Sequence, residues 1–179
     1  KIHTQYSICE GAIKIDDLKD YCKQNKVPCL GLSDTSNLCG ALEFAENVSK
    51  IGTQPIIGTQ INFKFEDTIG LLPLIALNEI GYKKIIELSS RSYLENNALS
   101  DPHLDIKELF NDSSGVVLLS GTIYGLFGKL FEKGRFDEIT KLYTNLSSKF
   151  IDGYKRKRAP FGFNGLGELV YMRTYSRLK

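Results

Sequence analysis

Along the chain, short apolar runs alternate with stretches in which apolar residues recur every three or four positions. Residues 2–6 form a short strand candidate, and residues 7–11 a loop. Ile13, Ile15, Leu18, Tyr21 and Cys22 approximate helical spacing, with Asp16 and Asp17 suited to a helix N-terminus, where the helix dipole favours negative charge. Pro28 follows the end of that helix, and residues 27–32 read as a buried strand. Leu42, Phe44, Ala45 and Val48 mark a second helix that closes at Gly52. The next strand is expected over 55–65, with Gln60 near its middle, and another apolar run covers 71–77. Tyr82, Ile85, Ile86, Leu88 and Ser89 give an amphipathic helix, and residues 106–110 a short one. Residues 116–119 form a third buried strand ending in Ser120-Gly121-Thr122, and two helices follow over 126–131 and 136–146. Strands alternating with helices predict parallel βαβ units, in a barrel or an open sheet. The Tyr and Phe residues are expected mostly in the core.

One stretch, from Gly31 through Asp34 to Phe44, organises the rest. It reads as the end of a strand, a polar turn and a helix whose first turn carries Gly40 and Ala41. The carboxyl end of a strand is where α/β proteins mount their chemistry. An Asp there, followed by small polar residues, has the frame of a metal or phosphate site. Yet the next residue is Thr35, and no His, Cys or carboxylate cluster surrounds it in sequence.

Composition narrows the class. A chain of 179 residues, 42% hydrophobic and 25% charged, supports one good core and is too short for two ordinary domains. No apolar run approaches a membrane span and the start shows no signal-peptide pattern, so the cytoplasm is the expected compartment. The net charge of +2 hides an asymmetry. Residues 155–179 hold seven of the 23 Lys and Arg and one of the 21 Asp and Glu, leaving 16 against 20 in residues 1–154, a net of −4. An acidic body argues against a large DNA-binding face. The run Lys155-Arg156-Lys157-Arg158 reads as a solvated linker, able at most to make a weak, non-specific contact with nucleic acid. Cys9, Cys22, Cys29 and Cys39 have neither C-x-x-C nor zinc-finger spacing, and read as reduced, structural thiols, three of them in apolar or helical contexts. Ser7, Ser33 and Ser120 have no nearby His paired with an acid, and Gly125-Leu126-Phe127-Gly128-Lys129 lacks the full phosphate-loop pattern.

Several segments in order and register resemble the amino-terminal PHP (polymerase and histidinol phosphatase) domain of bacterial replicative DNA polymerase III alpha subunits. They are His3-Thr4-Gln5-Tyr6-Ser7 with Glu10-Gly11-Ala12, Asp34, and Asn37-Leu38-Cys39-Gly40-Ala41-Leu42-Glu43-Phe44. Pro55-Ile56-Ile57-Gly58, Asn78-Glu79-Ile80-Gly81-Tyr82-Lys83 and Leu118-Leu119-Ser120-Gly121 continue the series, over about residues 1–153. The resemblance implies an α/β fold, an incomplete, distorted β/α barrel of parallel strands and alternating helices. It also implies a place in DNA replication, with nucleotidyl transfer belonging to regions outside this chain. The rest of the alpha chain is then the main partner, and the proofreading exonuclease subunit a further one.

PHP phosphoesterases bind divalent metals, which acidify a bound water and neutralise charge on phosphoryl oxygens. Against that pattern this chain is eroded. Lys1 replaces one histidine of the His-x-His pair, Thr35 the histidine of an Asp-His pair, Gln60 a glutamate, and Thr122 a His or Cys. His3, Glu10 and Asp34 remain as vestigial ligands, and His103 lies in a loop. The implied function is a non-catalytic scaffold with a degenerate metal site and no cofactor. The alternative is a phosphoesterase or 3′–5′ exonuclease using Mn or Zn; a third reading is a half-barrel whose unpaired strand edges leave it without a stable fold. Residues 159–179 resemble the start of cobalamin-dependent ribonucleotide reductases, so 154–179 is expected to be a basic tail of different origin, extended or partly ordered, joined by fusion or at a junction of gene fragments.

Overall fold

The computed structural model describes residues 2–97, 100–111 and 113–150. Lys1, the basic run Lys155-Arg156-Lys157-Arg158 and the tail 154–179 lie outside the described residues. Among the described residues the elements follow in the order α1 (Ile15–Asn25), β1 (Cys29–Thr35), α2 (Ala41–Ser49), β2 (Gln54–Phe65), β3 (Thr68–Ala76), α3 (Glu79–Leu94), β4 (Leu104–Asp105), α4 (Glu108–Asn111), β5 (Val116–Leu118), α5 (Leu126–Glu132) and α6 (Phe136–Lys149).

The sheet runs β1-β2-β3-β5, with β4 also pairing β2. β1 pairs parallel to β2 from Cys29 opposite Gln54 to Thr35 opposite Gln60. This is the parallel crossover that the strand–helix–strand pattern predicts, with α2 as the connection. The sheet is mixed, however: β2 and β3 form an antiparallel hairpin, and β5 joins β3 antiparallel. The sequence explains the hairpin, since only Glu66 and Asp67 separate the two strands and Glu66 takes a left-handed φ of 52°. Two residues can turn a hairpin but cannot carry a crossover.

Strand pairing fixes which side chains share a face. Ile61 opposite Leu72 and Thr59 opposite Leu74 place the buried β2 and β3 residues on one face, the face against which the helices pack. Ile61, Phe63, Leu72 and Leu74 meet Ile85 and Leu88 of α3, Leu126 and Leu130 of α5, and Leu142 and Leu146 of α6. A smaller cluster joins Leu32 of β1 to Ile15 and Leu18 of α1 and to Ala41, Phe44 and Val48 of α2. Each such fully buried aliphatic or aromatic side chain contributes about 1.5–3 kcal/mol relative to exposure. The other face of the sheet carries Thr35, Gln60 and Leu71.

Some expectations shift. Leu42 is exposed and Ala41 takes the buried position, so the buried stripe of α2 is Ala41, Phe44 and Val48. Ile13 precedes α1, and Tyr21 is exposed on it. Phe44, Phe63, Phe65 and Phe127 are core, whereas Tyr21, Tyr93 and Tyr124 lie at the surface, where the phenol keeps its contact with water. All four cysteines are free thiols, but only Cys22 is buried; Cys9, Cys29 and Cys39 are exposed. Desolvation raises the Cys22 thiol above its ordinary pKa.

The Asn78-Glu79-Ile80-Gly81 segment has a clear local cause. Asn78 caps α3 by accepting from the Gly81 amide at 3.0 Å. A Cβ on Gly81 would lie 1.8 Å from the Gly115 carbonyl oxygen, so only glycine lets α3 dock against the turn that feeds β5.

Candidate functional site

Asp34 and Thr35 are neighbours on β1, and the pleat sends their side chains to opposite faces. Asp34 is 1% exposed. Its Oδ1 accepts from the Thr4 amide at 2.6 Å and the Ser7 hydroxyl at 2.7 Å, and its Oδ2 accepts from the Thr4 hydroxyl at 2.7 Å. Three short, charge-assisted bonds to the N-terminal segment use most of the carboxylate's acceptor capacity. The segment itself is a compact turn, with Ser7 N bonded to the Thr4 carbonyl and the Glu10 and Gly11 amides to the Ser7 carbonyl. Ile2 bridges Leu32, which extends the sheet past β1.

Thr35 faces the other way. Its hydroxyl donates to Glu10 Oε2 at 2.5 Å and accepts from Gln60 Nε2 at 3.0 Å. Because the Thr35 proton goes to Glu10, Gln60 must offer its amide nitrogen, which fixes the side-chain flip. The same nitrogen lies 3.4 Å from His3 Nε2. On the other side of the ring, His3 Nδ1 lies 3.4 Å from the Ser7 hydroxyl and 3.7 Å from Glu10 Oε2. Ser7 already donates to Asp34 and accepts from the Thr35 amide at 3.1 Å. It therefore meets His3 as an acceptor, and the network assigns the proton to Nδ1, leaving Nε2 to accept from Gln60.

His3, Glu10, Gln60 and Thr122 line one open pocket of about 340 Å³ together with Leu71, Tyr124 and Gly125. A bridge between Leu71 and Gly125 brings the loop after β5 across to form its wall. Four residues singled out from three separate stretches, His3 and Glu10, Gln60 and Thr122, thus converge. Asp34 lies behind the pocket rather than lining it. Thr122 accepts from the Tyr124 amide through its hydroxyl at 3.3 Å. His103 stays in its loop, with Nδ1 2.8 Å from the Asp101 carbonyl.

The Ser–His–acid proximity that the sequence did not suggest is present after all. Ser7 sits beside His3 and Asp34 because the turn after Ile2 folds residues 3 and 7 together. It is no nucleophile site: Ser7 is 1% exposed and its proton is committed to the carboxylate, not to the imidazole. Thr4, which makes two of the three bonds to Asp34, was missed in the sequence because nothing marks a threonine as the partner of a carboxylate 30 residues away. Leu71 and Tyr124 were missed as pocket walls for the same reason.

The turn after β1 carries strain. Ser36 has φ 57° and Cys9, in the opposing loop, φ 64°. Such left-handed residues cost about 1–2 kcal/mol each and persist where the surroundings fix them. The Ser36 amide donates to the Gln60 carbonyl at 2.7 Å, and Asn37 donates to the Tyr6 and Thr35 carbonyls at 2.9 Å. Tyr6 in turn donates to Glu43 of α2 at 2.8 Å, and this bond raises the phenol above its usual pKa.

These donors do not suit a divalent cation. Among the described residues no group of three or more His, Cys, Asp or Glu side chains is placed to hold a metal ion. His3 Nε2 faces an amide N–H, Thr35 brings a hydroxyl, and Asp34 points away. One imidazole and one carboxylate fall short of the three or four protein ligands of a zinc site.

The PHP domain family model matches residues 1–155, and the ribonucleotide reductase alpha domain model matches residues 146–179. The chain is 33% identical over 167 residues to the DNA polymerase III subunit alpha of Caulobacter vibrioides, covering 86% of this chain and 14% of that one. The subunit of the same name from Rickettsia felis is 35% identical over 130 residues, covering 72% and 11%. That from Borreliella burgdorferi is 34% identical over 148 residues, covering 76% and 13%. The chain therefore spans about one seventh of the length of these relatives or less. A structure named for metal-dependent phosphoesterase activity, from Bifidobacterium adolescentis, aligns with a TM-score of 0.38 at 15% identity, over 89% of this chain and 58% of that one. With its α/β sheet of parallel and antiparallel strands and helices between them, the chain belongs to the PHP domain family, and the curated relatives it resembles are DNA polymerase III alpha subunits.

Proposed function

We propose that this PHP domain is a non-catalytic scaffold of a bacterial replicative polymerase, in which the former metal site has become a hydrogen-bonded structural junction. What supports the reading is the commitment of the Asp34 carboxylate to Thr4 and Ser7, with Thr35 and Gln60 standing where ligands would be needed. Its natural partner is the remainder of the polymerase alpha chain, and a proofreading exonuclease subunit is a further candidate. No metal or other cofactor is required. The Lys155-Arg156-Lys157-Arg158 run supports only weak, salt-sensitive contact with nucleic acid, since adjacent cations carry no sequence information. No helix among the described residues is long and apolar enough to cross a membrane. The bacterial cytoplasm, where replication takes place, is the compartment this reading requires.

The competing reading, a metal-dependent phosphoesterase or 3′–5′ exonuclease, draws on the open pocket beside His3 and Glu10. Incubation with 3′-labelled single-stranded DNA in Mn²⁺ or Zn²⁺ separates the two. The scaffold reading expects no release of label above a metal-free control. Release that disappears in His3→Ala would replace it with the nuclease reading.

A further inference from the structure

The junction has a mechanical consequence beyond the absence of catalysis. Two hydrogen-bonded arms hold the N-terminal segment to the sheet from opposite faces of β1. One is the Asp34 carboxylate on Thr4 and Ser7; the other is the relay from Gln60 through Thr35 to Glu10. Between them, the Ser7 hydroxyl accepts from the Thr35 amide at 3.1 Å and joins the arms. Few apolar contacts assist: of residues 2–11, only Ile2 and Tyr6 pack against the smaller core cluster, while Ile8 is 85% exposed. The left-handed backbone at Cys9 and Ser36, one in each half of the junction, marks loops that are held in place from outside.

We infer that this clamp is a metal-independent lock, and that the N-terminal segment opens as a unit of its own when the lock is weakened. A segment held mainly by polar contacts, these two arms together with the Ile2–Leu32 and Thr4–Ile13 bridges and the Tyr6 bonds to Asn37 and Glu43, with little buried apolar area, belongs to the low-stability end of a fold and opens without global unfolding. Its opening would uncover the floor of the pocket, because His3 and Glu10 travel with it. The inference rests on reading the site as metal-free.

Hydrogen–deuterium exchange on the whole chain tests it, comparing the protein as purified, the protein in EDTA, Asp34→Ala and Ser7→Ala. Peptides covering residues 2–11 and 33–37 are expected to exchange at least tenfold faster in the variants and to accelerate more than the β2–β3 hairpin, with EDTA without effect. Should Asp34→Ala fail to fold, the milder Ser7→Ala decides. Equal acceleration in the hairpin, or none anywhere, would overturn the lock while leaving the scaffold reading in place. Acceleration by EDTA alone would overturn both.

Discussion

The Ser7 hydroxyl donates to Asp34 Oδ1 at 2.7 Å across 27 residues of sequence, and both side chains are essentially inaccessible to solvent. A carboxylate that reads in the sequence as a ligand at a strand end is thus the anchor of the chain's first turn. The energetic weight of that anchor comes from its charge. A buried carboxylate must be satisfied by donors, and Thr4 and Ser7 supply three.

Asp34→Ala removes the acceptor of all three bonds and leaves a buried amide and two hydroxyls without it. The expected loss of stability is roughly 3 kcal/mol, in the range for breaking a buried charged network. Asp34→Asn keeps one carbonyl acceptor and is expected to lose less. Urea denaturation of the two variants checks both magnitude and order, and equal small losses would mean the bonds are not formed in solution.

Gly81→Ala drives a methyl group into the Gly115 carbonyl. The helix cannot shift without giving up its Asn78 cap and its packing on β3 and β5, so a loss of about 2–4 kcal/mol is expected. Ser90→Ala, on the exposed side of the same helix, is expected within about 0.5 kcal/mol of the parent. Thermal melts of the pair measure the difference.

Two contacts contribute to stability at opposite ends of the pH range. The Arg135 guanidinium holds Asp67 below the ordinary carboxylate range, so its contribution is complete above the unfolded value of about 4 and disappears as pH falls through the lower folded value. The Glu43 bond raises Tyr6, so its contribution is complete below the unfolded value of about 10 and is lost as pH rises through the higher folded value. Asp67→Asn is expected to flatten the acid limb of Tm against pH and Tyr6→Phe the alkaline limb. Unaltered limbs would place the pH dependence elsewhere.

Thr35→His combined with Gln60→Glu would put two imidazoles and two carboxylates around one pocket, since Thr35 and Gln60 already touch Glu10 and approach His3. Saturable Zn²⁺ binding at micromolar concentrations is expected in this double variant. A folded double variant that binds no better than the parent would show that more than ligand identity has been lost.

Periodicity and turn chemistry made most of the fold legible. The hairpin strand over 55–65 differs from β2 by one residue, and the helices over 126–131 and 136–146 fall short of α5 and α6 by one and three residues. β1 runs to Thr35, three residues past the apolar run, because a polar Ser33-Asp34-Thr35 end looks like a turn unless its buried partners are known. β4, only Leu104 and Asp105, is too short to leave a pattern. At the site, His3, Glu10, Gln60, Thr35 and Thr122 could be named from the family resemblance alone. The direction each one faces could not, because it depends on strand register and on bonds such as Thr4 to Asp34 that join distant residues.

Calorimetric titration of the untagged chain with Mn²⁺ and Zn²⁺ at neutral pH bears most directly on the claim that the site is a metal-free junction. No saturable heat at micromolar metal is the expected result, with Tm unchanged by EDTA. Stoichiometric binding at those concentrations, abolished by His3→Ala, would contradict it and return the pocket to metal chemistry.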